Sequence, residues 1–135
     1  MAEAPATNTG PGRVLVAVYA LFAVAATARS GYQIATRFDE APVPFLLSAF
    51  AGVVYLVATV ALARPGRTAY RVAVTAVLVE LAGVLIVGAV TAFGAGEFPR
   101  DTVWSDFGRG YGFIPLVLPF VGLWWLRRSA SSARS

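Results

Sequence analysis

The residue best placed to do chemistry is Glu80, a lone carboxyl inside the apolar run Val72–Phe93. It lies about nine residues, or 13 to 14 Å at roughly 1.5 Å per residue, above the arginine-flanked start of that run. This is close to the middle of a hydrocarbon core of roughly 30 Å. An ionised, unpaired carboxylate there costs at least about 2.5–3.5 kcal/mol. Its helical neighbours Ala73, Ala76 and Gly83 are small, so its face packs against another helix rather than lipid. Three roles remain open. Glu80 is protonated and hydrogen-bonded to Tyr19, Tyr55 or Thr59; or it pairs with Arg29, across a depth offset of about 10 Å at the helical rise; or it is a proton- or cation-coupling carboxylate.

The second constellation is ionic. Arg29, Gln33 and Arg37 fall at i, i+4 and i+8, one stripe of a helix. Asp106, Arg109, Gly110 and Phe113 fall at i, i+3, i+4 and i+7 of another. Measured from the arginine-rich ends of their helices, Arg29 and Arg109 both stand about 25 Å up, and Asp106 about 30 Å. Equal depth predicts an outward-facing cluster in which Asp106 is held between Arg109 and Arg29 or Arg37. As a lock it is structural, and as an open vestibule it is a ligand or ion site. The alternative is that these charges only reach the headgroup level by snorkelling.

Other chemistry is excluded by composition. There is no Cys and no His, which removes disulfides, zinc-thiolate sites and the commonest metal ligand and general base. No P-loop, nucleophile elbow or metal triad is present, and Gly-Arg-Gly-Tyr-Gly follows no strand, so it is no dinucleotide fingerprint. The expectation is a protein that is not an enzyme and carries no cofactor and no metal. All 11 basic residues are Arg, but they punctuate apolar segments instead of forming a patch, so nucleic acid is not the expected partner.

The elements that must position these residues are membrane helices. The chain has 135 residues, is 58% hydrophobic and has a mean hydropathy of +0.70. That is too apolar for a soluble domain, whose apolar share averages about 45–50%. The predicted fold is all-α: a polytopic four-transmembrane-helix bundle over residues 13–128, with spans at about 12–36, 43–63, 71–93 and 105–126. Residues 1–12 are expected to be a disordered tail and 129–135 a solvated C-terminal tail. Ala26-Thr27-Ala28 mimics a signal-peptidase site, but helix-compatible sequence continues to Thr36, so an uncleaved first span is expected.

The fourth span is unusual. Its clean apolar part, Phe113–Leu126, covers only about 21 Å as a helix, so a crossing must take in the polar front Asp-Phe-Gly-Arg-Gly-Tyr-Gly. The glycines at 108, 110 and 112 permit close helix packing or an unwound, water-lined beginning. Pro115 and Pro119 predict a kink.

Arginine counting gives orientation. Arg13, Arg64, Arg67, Arg71, Arg127, Arg128 and Arg134 share one side; Arg29, Arg37, Arg100 and Arg109 share the other with most of the acids. Both termini are therefore expected in the cytoplasm, and the bilayer is the cytoplasmic membrane. Trp124, Trp125 and Tyr70 fit an inner aromatic belt, and Phe38, Phe98 and Trp104 an outer one.

The run TVWSDFGRGYGFIPLVLPFVGLWWLRR, with RSGYQIATRFDEAPVPFLLSAFAGVVYLVATVALAR upstream, resembles small four-helix integral membrane proteins of actinobacteria, over about residues 13–128. The resemblance implies a membrane location and this topology, and no activity. Four spans in this length are also similar in architecture to small multidrug-resistance transporters, but those carry their membrane glutamate in the first helix, and Glu80 is in the third. DoxX-like four-helix proteins are a more distant likeness.

The function expected from these residues is an accessory or structural membrane protein. Ser48, Gly52, Ala76, Gly83 and Gly88 would then offer small-residue faces to a membrane-protein partner or a second copy. The alternative is a small oligomeric proton- or cation-coupled transporter or channel using Glu80.

Overall fold

The computed structural model describes residues 10–94, 102 and 104–134. Among these there is no strand. Four helices follow one another: α1 (Pro11–Arg37), α2 (Pro42–Ala63), α3 (Arg67–Ala92) and α4 (Ile114–Arg134). Proline sits at the start of three of them: Pro11 in α1, Pro42 in α2 and Pro115 in α4. There its missing N–H removes nothing from the helix. Pro115 therefore does not contribute to a kink, contrary to expectation, and only Pro119 lies inside a helix.

Three helices, α1, α2 and α3, are long and apolar enough to cross a membrane. Their outward surface agrees with that use. Leu21, Val24, Leu46, Phe50, Leu56 and Ile86 stand exposed, while the buried positions are largely alanines, tyrosines and small residues. Such an apolar surface suits helices that cross a membrane.

The helices begin and end close to the expected positions, with three differences. α3 starts a turn early, at Arg67 in place of about 71, because Gly66 (φ 112°, ψ 158°) makes the break that Pro65 prepares. α4 continues to Arg134, and Ser129 within it is buried, so residues 129–134 are not the expected loose tail. The third difference is the largest: residues 105–113 are not α-helical.

Ser105–Tyr111 form a tight 3-10-like segment in which Asp106, Phe107 and Gly108 all have left-handed backbone (φ 51°, 61° and 81°). Phe113 is left-handed as well (φ 61°). The expected span from 105 to 126 is thus replaced by a coiled capping segment followed by a short helix. The apolar part of α4, Ile114–Leu126, reaches only about 20 Å at the helical rise, so α4 is not by itself a full crossing. Tyr70, in the first turn of α3, donates to the carbonyl of Leu126 at 3.0 Å, which sets α4 antiparallel to α3.

The core lies along the bundle axis. Tyr19, Phe22 and Ala26 of α1 meet Ala51, Tyr55 and Ala58 of α2, Ala73, Val77 and Val84 of α3, and Leu118 and Leu126 of α4. The α1–α2 seam is close because Gly52 lies against Thr27: an added Cβ would stand 2.8 Å from the Thr27 hydroxyl oxygen.

Candidate functional site

Glu80 is 0% exposed and midway along α3, inside the bundle. Tyr19 of α1 donates its phenolic hydrogen to Glu80 Oε1 at 2.5 Å. Of the partners weighed from sequence, Tyr19 is the one the bundle supplies. Tyr55 and Thr59 do not bond it: Thr59 turns back to the carbonyl of Tyr55, 2.7 Å away, on its own helix. Gly122 makes room for the tyrosine, since a Cβ there would meet the Tyr19 hydroxyl at 3.0 Å. Three helices, α1, α3 and α4, therefore meet around this hydrogen bond. Its second oxygen, Oε2, is buried with no hydrogen-bond partner among the described residues.

Above this pair sits an aromatic stack that sequence reading did not anticipate. Trp104, expected in an outer aromatic belt, is 1% exposed. Its indole N–H donates to the Tyr55 hydroxyl at 2.9 Å. Tyr55 lies between Tyr19 and Trp104, with ring centroids 6.1 and 6.4 Å away. Trp104 fits because Gly83 of α3 has no side chain: a Cβ there would stand 2.5 Å from the indole. The only sequence signal for this was the pairing of a glycine on an apolar helix with a tryptophan beside a glycine-rich run. A buried Trp requires a partner for its N–H, and Tyr55 is that partner.

The capping segment is pinned at further points. Thr102 and Ser105 bond each other at the start, the Thr102 N–H reaching Ser105 Oγ at 2.8 Å. The Asp106 backbone N–H donates to Thr91 Oγ1 of α3 at 2.7 Å. Phe107 lies on Gly88, where a Cβ would come within 2.4 Å of its ring. Arg29 of α1 donates to the Tyr111 hydroxyl at 2.7 Å.

These contacts revise the expected ionic cluster. Arg29 is spent on a tyrosine, not on Glu80 or Asp106. Arg37 pairs with Glu40 at 3.8 Å, in the turn after α1. Among the described residues no ion pair joins Asp106 to Arg29, Arg37 or Arg109. The physical reason is the left-handed turn at 106–108, which abandons the helical spacing that put Asp106 and Arg109 on one face. Arg109 is exposed.

The small-residue faces are also used differently. Gly52, Gly83 and Gly88 receive Thr27, Trp104 and Phe107 of the same chain, and Ser48 is buried. These positions are filled from within the bundle, whereas Ala76 lines an open cleft between α2 and α3. Of the aromatic belts, Trp124 is exposed with Arg128 over its ring (5.4 Å to the centroid), whereas Trp125 is buried. Phe98 falls outside the described residues.

No protein family, curated protein or solved structure matches the chain. Among the described residues no group of three or more Asp or Glu side chains lies together to hold a metal ion. What the site can do chemically follows from its geometry alone. It holds one acid in a buried pocket and donates one hydrogen bond to it, and the donating tyrosine stacks through Tyr55 on a tryptophan that belongs to a connecting segment and not to a helix.

Proposed function

We propose that the chain is a multi-pass protein of the cytoplasmic membrane, N-in and C-in, with an accessory or structural role and no enzymatic activity. Four passages of the chain build it, the last formed by the capping segment and α4 together. The excess of arginine at the end holding the α2–α3 turn supports the orientation. The observation that carries the structural role is the enclosure of Glu80. It is fully buried and tied at 2.5 Å to Tyr19, which stacks on Tyr55 and through it on Trp104. A carboxyl so placed acts as a polar tie between helices, since Glu80 stands on α3 and its hydrogen-bond partner Tyr19 on α1.

The test is purification in a mild detergent followed by mass spectrometry. A membrane protein held at constant stoichiometry supports the accessory role. A homogeneous lone chain that carries ions in vesicles contradicts it.

One observation favours a second reading, a proton- or cation-coupled transporter. Glu80 Oε2 has no hydrogen-bond partner among the described residues, which leaves an acceptor free inside the bundle. In that reading Trp104 is the gate, and displacing it would open Glu80 to the outer end. Proton flux into vesicles that is lost in Glu80→Gln would establish it. Equal flux in both proteins, or none in either, would remove it.

A further inference from the structure

The bundle is closed tightly along α1–α2 and along α3 with the capping segment, but not along the lower half of α2 and α3. There two apolar clefts open to the outside, of about 600 Å³ and 370 Å³. They share Val57 and Val72, so they form one continuous groove. Valines on both sides hold the helices apart, and no glycine lines it. Its lower mouth is lined by Arg64 and Pro65, and Arg71 stands on its α3 wall.

We infer that this groove binds one anionic glycerophospholipid, its phosphate held by Arg64 and Arg71 and an acyl chain lying along Val57, Val60, Val72 and Val79. Three observations point to this occupant. Length is the first. From Thr68 to Val79 the α3 wall rises about 16 Å at the helical rise, close to one leaflet, half of a hydrocarbon core of roughly 30 Å.

Charge is the second. Arg64, Arg67 and Arg71 are all exposed, and among the described residues none has an acid as an ion-pair partner. Basic pockets between membrane helices recruit anionic headgroups for this reason. The third is the exclusion of a rival. A second copy docking the same groove by two-fold symmetry would bring its own Arg64, Arg67 and Arg71 against these, like charge on like. A zwitterionic lipid fills the apolar part equally well but offers the arginines no net charge.

The experiment is native mass spectrometry of the full chain in detergent, titrated with dioleoyl phosphatidylglycerol and with dioleoyl phosphatidylcholine, so that only the headgroup differs. One phosphatidylglycerol per chain is expected, bound at least about tenfold more tightly than phosphatidylcholine. In the double variant Arg64→Gln/Arg71→Gln the preference falls to parity. The control Arg127→Gln/Arg128→Gln removes the same charge elsewhere and keeps it. Val72→Trp fills the groove and weakens both lipids without touching charge. The proposal is overturned by equal affinity for the two lipids. It is overturned too by equal loss in the two double variants, by glycerophosphate competing as well as the intact lipid, or by a dimer that buries the groove.

Discussion

Tyr19 and Glu80 stand 61 residues apart in sequence and 2.5 Å apart in space, the hydroxyl of α1 donating to the carboxyl of α3. The contact is buried on every side, so neither group has water to fall back on. Its loss is costly because it strands the partner: a buried polar group left unsatisfied costs about 1–3 kcal/mol.

Substitutions at Glu80 should therefore separate by what they leave for Tyr19. Glu80→Gln keeps an acceptor and the volume, and is expected to change stability by less than about 1 kcal/mol. Glu80→Ala removes the acceptor and opens a cavity, and is expected to cost about 2–5 kcal/mol, in line with large-to-small core changes. Unfolding by sodium dodecyl sulfate in mixed micelles, followed by circular dichroism, measures both. Equal effects would mean that the carboxyl's hydrogen bond is not what matters at this position.

Gly83→Ala tests the seat of Trp104. A Cβ at Gly83 meets the indole at 2.5 Å, so the ring must leave its place or α3 must shift. Overpacking of this kind costs typically about 1–3 kcal/mol. In a Trp124→Phe/Trp125→Phe background Trp104 is the one remaining tryptophan. Its emission should move to the red in Gly83→Ala as the indole loses its buried environment. Unchanged emission with unchanged stability would place Trp104 elsewhere.

Asp106→Asn should be nearly neutral, within about 0.5 kcal/mol. What holds this residue is its backbone N–H on Thr91, and Asn tolerates the left-handed backbone at φ 51° as Asp does. Thr91→Val removes the acceptor and should destabilise the chain more than Asp106→Asn. The reverse order, measured by the same unfolding assay, would restore an ionic role for the Asp106 carboxylate.

Much of this architecture could be read from residue types. Runs such as Val43–Ala63 declare a membrane helix by length and hydropathy, and the depth of Glu80 between small neighbours leaves a hydrogen-bonded acid, with Tyr19 among its candidate partners, as one of three open roles. The end of the chain was harder. Helical periodicity assumes right-handed backbone throughout, and the left-handed turn at Asp106, Phe107 and Gly108 breaks that assumption; the glycines at 108, 110 and 112 leave an unwound beginning open but do not choose it over close helix packing. Once the helix was extended through 105–113, Asp106 and Arg109 fell on one face and Trp104 fell at the membrane surface. Both placements failed together, for one reason. Gly83 and Gly88 were read as surfaces for a partner because a sequence does not say whether the residue filling a glycine notch comes from another chain or from Trp104 and Phe107 of its own.

The absence of cysteine makes topology directly measurable. Single substitutions Asp39→Cys and Thr68→Cys, in otherwise native chain, should react with a membrane-impermeant maleimide from opposite sides, Asp39→Cys from outside intact cells and Thr68→Cys only after lysis. Labelling of both from the same side would overturn the arrangement of α2 as a crossing helix.

The central claim, that Glu80 and Tyr19 form an internal tie between helices, is tested most directly by a double-mutant cycle. Tyr19→Phe and Glu80→Leu are measured singly and together by unfolding in mixed micelles. The tie predicts a coupling of at least about 0.6 kcal/mol, the average for hydrogen bonds between membrane helices, whose maximum is about 1.7, with the double variant less damaged than the two singles added. Single effects that add to within about 0.3 kcal/mol would show that the two side chains act independently and would contradict the account.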